Sequence, residues 1–167
     1  MTVSPFAYYT RLNAAQQAIY RRSDAITSVP VPAAAALRPL VVAIDDALTE
    51  ETPAVVQAAC QRLADDLLAQ LAAPAVQIFV LEVRPRDTES ELHGLYEPSD
   101  PPYRCRITLW MRTAQQEKVV AFRSFLRTLL HELLHHLDYE IYELAETFHT
   151  EGFYKRESSL FHQLVGE

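Results

Sequence analysis

Three observations predict an α+β domain. Residues 1–72 carry apolar positions at helical spacing, residues 75–112 switch to a period of two, and residues 118–167 return to helical spacing. A chain of 167 residues suits a single domain, and 49% apolar content makes it globular rather than disordered.

The elements follow in order. Residues 5–22 read as a helix through Tyr8, Tyr9, Leu12, Ala15 and Ile19. SVPVPAAAALRP reads as a proline-punctuated connector, with Pro39 in the first turn of a short helix reaching about Leu48. Thr52 as N-cap and Pro53 at the first helical position open a helix with Val55, Val56, Ala59, Leu63, Leu67 and Leu71 on one face. AVQIFVLEVR (75–84) alternates and is rich in β-branched residues, so it predicts a strand. ELHGLYE (91–97) is a shorter extended piece, EPSDPP a turn, and YRCRITLWMR (103–112) a third strand. A long helix spans about Lys118 to Asp138, a polar stretch runs to His149, and GFYKRESSLFHQLV forms a last helix.

Charge and cysteine content narrow the function. A net charge of −7 argues against a general nucleic-acid binder, which normally presents a basic face. Arg104, Arg106, Arg112, Lys118, Arg123 and Arg127 form a local excess that reads as ordinary solvated charge. Cys60 and Cys105 each lie in an apolar stretch, show no metal-ligand spacing, and are expected buried, reduced and structural. No signal peptide and no membrane-length apolar run is evident, so a cytoplasmic setting is the expectation.

The chemistry concentrates in TLLHELLHHLDYE, residues 128–140. An α-helix advances about 100° per residue, so His131 at 0° puts His135 near 40°, Thr128 near 60°, Ser124 near 20° and Asp138 near −20°. Leu129, Leu130, Leu133, Leu134 and Leu137 fall on the opposite arc, between about 160° and 300°. The leucines are thus expected to face a core while both histidines point out of it. Two histidines one turn apart can reach one ion. Glu132, near 100°, sits beside the stripe, where a carboxylate misses the ion but reaches a water bound to it. This is the H-E-x-x-H arrangement of two ligands and a general base, and zinc is the expected ion.

A catalytic zinc usually takes a third protein ligand. Asp138 shares the stripe but lies about 10 Å along the axis from His131, which suits it better to holding His135 or ending the helix. His149 follows the helix by a loop long enough to fold back and is the leading candidate. Glu143 and Glu146 are the alternatives. His136, near 140°, leaves the stripe and reads as structural or exposed. His93 and His162 have no ligand spacing and read as a strand residue and a helix-surface residue.

HELLH followed by the separate histidine of HTEGFYKR resembles the zincin metallopeptidases, in particular small SprT-like and WLM-type proteins of a minimal, gluzincin-like form. These pair H-E-x-x-H with a later H-[ST]-x-x-[FWY] at the start of a helix. His131, Glu132, His135 and His149 match position by position. The resemblance runs from ELHGLYE to the C-terminus, and residues 1–70 lie outside it. It implies a zincin-like fold with a small, mainly antiparallel sheet, a long active-site helix and, here, additional N-terminal helices. It also implies an edge strand along the cleft that pairs with substrate backbone, which maps to His93, Gly94, Leu95 and Tyr96. Zincins often stabilise the oxyanion with a tyrosine or histidine, making Tyr154, Tyr139 and Tyr142 candidates. His136 and Asp138 are not part of the general motif. The expected function is hydrolysis of peptide bonds in a peptide or protein substrate, with one zinc ion and Glu132 as base. The rivals are a zinc-binding interaction or regulatory module without turnover, and a structural helical domain carrying the motif by accident.

Overall fold

The computed structural model describes residues 4–84, 94–99 and 104–167. Asn13 sets the first helix: its side chain accepts from the Gln16 N–H at 2.8 Å, and the Gln16 side chain accepts from the Asn13 N–H at 3.1 Å. This reciprocal cap starts helix α1 (Ala14–Ala25) and leaves only a 3-10 turn at Ala7–Arg11 before it. The continuous helix expected over 5–22 is therefore two pieces, separated by extended backbone at Leu12 and Asn13.

Helix α2 (Ala34–Glu50) starts well before Pro39, which lies inside it. The alanine run favours helix strongly enough to extend it N-terminally, and Pro39 removes only one backbone hydrogen bond. Helix α3 (Pro53–Gln70) opens on Pro53 with Thr52 at the N-cap position, but the Thr52 side chain makes no capping hydrogen bond and only its carbonyl takes part, accepting from Val55 and Val56 at 3.1 Å each.

Strands β1 (Gln77–Val83), β2 (Gly94–Glu97) and β3 (Arg106–Arg112) form a sheet in the order β1-β3-β2. β3 pairs parallel with β1, Gln77 opposite Arg106 through Val83 opposite Arg112, and antiparallel with β2, Gly94 opposite Leu109. The sheet is mixed rather than mainly antiparallel. Strands joined by a tight hairpin must be antiparallel, whereas β1 and β3 are joined through β2 on the far edge, which leaves β3 free to run with β1. β3 is central and buries Ile107 through Met111 without a break, as a strand covered on both faces does.

After β3 the chain doubles back, with Val119 bridging Arg112 and the Val120 N–H donating to Met111 O. That hairpin delays helix α4 to Phe122–Glu140. Helix α5 (Glu151–Val165) packs on α1, α2 and α4, while α3 lies on β1 and α4 on β2 and β3. Buried residues from Val29 to Leu164 belong to one core cluster. Basic residues of the local excess are distributed among partners: Arg106 over Phe79, Arg112 with Glu82 and Glu51, Arg123 with Glu167. Among the described residues no helix is long and apolar enough to cross a membrane.

Candidate metal centre

Helix α4 separates its two faces as the angular arithmetic requires. Leu129, Leu130, Leu133, Leu134 and Leu137 are all fully buried, while His131 and His135 are half-buried at a cleft. Each buried leucine contributes roughly 2 kcal/mol of apolar burial, so the helix has little freedom to rotate its histidines away. The loop after α4 returns His149 to this stripe. Thr150 caps α5, its hydroxyl accepting from the Phe153 N–H at 2.9 Å, and so fixes His149 immediately before the helix. The Tyr8 hydroxyl donates to the His149 carbonyl at 2.7 Å. Phe153, fully buried, forms the floor, its ring 4.9, 5.0 and 5.1 Å from those of His131, His135 and His149.

The His149 Nε2 lies 3.1 Å from the Nε2 atoms of both His131 and His135. The protons on the two helix histidines can be assigned from their partners. His131 Nδ1 faces the Glu157 carboxylate at 2.8 Å, an acceptor only, so Nδ1 carries the hydrogen. His135 Nδ1 faces the Thr147 hydroxyl at 2.8 Å, whose own hydrogen goes to Asp138 Oδ2, so Nδ1 is again the donor. In the neutral form of each ring Nε2 then presents a lone pair to His149, whose single Nε2 proton, at most, cannot serve both well. A cation satisfies all of them. Tetrahedral zinc with bonds of 2.0–2.1 Å sets its ligand atoms about 3.3 Å apart, close to the spacing here. Burial, with help from His131 and His149, pushes His135 down to about 3, and burial with His131 lowers His149. Neutral imidazoles are the form a metal requires. The residues present fit a zinc ion.

Glu132 is buried on the wall of the same cleft, a cavity of about 510 Å³. Burial pushes its carboxyl up to about 7, against the pull of His131 and of the Tyr96 N–H that hydrogen-bonds it, with Glu157 adding to the rise. β2 crosses directly over this side chain. A Cβ on Gly94 would stand 2.9 Å from Glu132 Cγ and 3.0 Å from Thr128 Cγ2, so only glycine allows the strand so near the helix. Gly94, Leu95 and Tyr96 line the cleft with Pro98 and Tyr139. His93 lies outside the described residues.

Asp138 is fully buried and reaches His135 only through Thr147. Tyr154 is 42% exposed with its ring 5.9 Å from His149; Tyr139 stacks on Tyr96; Tyr142 packs against Arg156. Glu143 is exposed in a left-handed turn and Glu146 accepts from Gln16, and neither joins the histidine group. His136 is buried, with Nε2 donating to Pro74 O at 2.7 Å and Nδ1 2.9 Å from the Tyr96 hydroxyl. His162 is exposed, as expected of a helix-surface residue.

Cys60 is buried and its thiol is pushed up by burial, whereas Cys105 is only half-buried, contrary to expectation. Cys105, His136 and Glu140 also bring ligand-type atoms within 4.8 Å, although their sequence spacing gives no hint of it. Both ring nitrogens of His136 are already engaged there, which makes a hydrogen-bonded structural group of it. Sequence reasoning missed Glu157 and Thr147, the partners that orient the two helix histidines. Glu157 carried a faint signal, since it shares a helical face with Phe153; Thr147, in a loop, carried none.

Compared with protein-family models, curated proteins and solved structures, the chain gave no match.

Proposed function

We propose that this chain is a zinc-dependent hydrolase that cleaves peptide bonds, with Glu132 as general base. One observation carries the reading: three imidazole Nε2 atoms converge at 3.1 Å contacts, the two helix histidines each held through Nδ1 by an oxygen partner, beside a buried carboxylate in an open cleft. A zinc ion held by His131, His135 and His149 would supply a Lewis acid for a water and a carbonyl oxygen.

The protein's own groups would do the rest. Glu132 takes a proton; a base with an affinity near neutrality combines availability of the ionised form with driving force. Tyr96 N–H orients that carboxylate and Gly94 leaves it room. Substrate backbone would run in extended form along the β2 edge, where Leu95 and Tyr96 line the cleft, a mode that needs few side-chain pockets. Tyr139, which lines the cleft, and Tyr154, whose ring lies 5.9 Å from that of His149, are the candidates to contact the developing oxyanion. The unpaired thiols Cys60 and Cys105 suit a reducing, cytoplasmic setting.

The test is cleavage of a peptide library by zinc-loaded wild type and Glu132→Gln. Cleavage by wild type and none by the variant, at equal zinc content, supports the proposal. Zinc in both with no cleavage by either overturns the hydrolase and leaves a zinc-binding module.

A further inference from the structure

A fully buried arginine lies behind the candidate metal centre, where no ion or substrate reaches it. Arg156, on α5, donates through Nη1 to the carbonyls of Ser23 and Ile26 at 2.6 Å each. Its Nη2 donates to Ser23 Oγ and to Asp138 Oδ1, both at 3.0 Å. The guanidinium is packed between the rings of Tyr142 and Phe153, and its Nε has no partner among the described residues. Removing a charged pair of this kind from water is expensive, and the pair offsets that cost only through the hydrogen bonds it makes.

What the pair does is visible in the direction of each hydrogen bond. A guanidinium only donates, so Asp138 Oδ1 accepts. Asp138 Oδ2 accepts from the Thr147 hydroxyl at 2.8 Å, which uses that hydroxyl's one hydrogen. Thr147 Oγ1 can then only accept from His135 Nδ1 at 2.8 Å. Burial raises the Asp138 carboxyl, while Arg156 and Thr147 pull it back. The donors therefore converge on the Asp138 carboxylate, Arg156 from the side of α1 and His135 through Thr147 from the side of the cleft, which leaves the Nε2 lone pair of neutral His135 turned into the cleft. The docking of α1 on α5 is close: the Gly152 N–H donates to Asp24 Oδ1 at 2.9 Å, and a Cβ at Gly152 would run into the Asp24 carbonyl.

We infer that Thr147, Asp138 and Arg156 are positioning residues for His135, and that they fasten this ligand to the C-terminal end of α1. The N-terminal helix, outside the resemblance, thereby becomes part of the metal centre. His131 is held differently, by the single carboxylate of Glu157. The inference rests on the metal-centre reading above, so its test needs an arm that stands without zinc.

Thr147→Val keeps the side-chain shape and removes the hydroxyl; Thr147→Ser keeps the hydroxyl. Zinc affinity, measured by competition with a chromophoric chelator, should fall about 10- to 100-fold in Thr147→Val and stay within about threefold of wild type in Thr147→Ser. A merely structural side chain would not be rescued in that order. Long-range ¹H–¹⁵N spectra of the metal-free protein should show His135 as the Nδ1–H tautomer in wild type and in Thr147→Ser. Equal zinc affinity in Thr147→Val and wild type overturns the inference, as does an Nε2–H tautomer at His135 in metal-free wild type. If wild type binds no zinc, the metal-centre reading fails, and the tautomer decides the relay by itself.

Discussion

At the β1 edge of the sheet the outward amides of Ile78 and Val80 donate to the side chains of Gln61 and Gln57, at 2.8 and 2.9 Å. At the β2 edge the Tyr96 amide donates instead to the Glu132 carboxylate. Each partner engages a strand amide that would otherwise stand unpaired. The glutamines come from α3 at i and i+4, are neutral at any pH and exchange no proton, so that edge is closed. The carboxylate can exchange a proton, burial has moved it to about 7, and it stands beside three histidines at a cleft. One edge is held by neutral amides; the other is held by the carboxylate to which the proposal assigns the chemistry.

Glu132→Gln gives the second edge the neutral partner of the first, and is the sharpest way to break the comparison. Peptide cleavage should fall by about 10²- to 10⁴-fold while zinc content and melting temperature hold. His149→Ala leaves both edges intact and removes a proposed ligand instead. Its zinc affinity should fall by more than about 100-fold, above the range for a residue that only supports a ligand.

Gly94→Ala tests the close approach of β2 to the helix. The new methyl meets Glu132 Cγ at 2.9 Å, and kcat/KM should drop about 10- to 100-fold with zinc affinity nearly unchanged. The smallest effect on the site belongs to the closed edge. Gln61→Ala strands the Ile78 amide and should cost about 1–3 kcal/mol in denaturant unfolding, with cleavage and zinc affinity as in wild type. A loss of activity there would erase the distinction between the edges.

What the sequence made legible was what local geometry decides. The division of α4 into a leucine arc and a histidine stripe follows from 100° per residue, and the Pro53 start of α3 from its fixed φ. The Gln16 cap that shortens α1 was readable in principle, as asparagine followed three residues later by glutamine. The parallel β1–β3 pairing was not, because strand direction depends on the path between strands and both strands alternate equally well either way. Thr147 and Arg156 were invisible for a related reason: each acquires its partners only when the loop and α5 have docked, across 12 and 133 residues of chain. His136, which made the motif look histidine-rich, is set apart from the site by one helical step and is buried against Tyr96 and Pro74.

The most direct test of the account is the metal content of protein purified without chelators. About one zinc per chain in wild type and in Glu132→Gln, falling to under about a tenth in His131→Ala, is the predicted result. Under a tenth of an equivalent in wild type, unchanged on adding zinc, would contradict it.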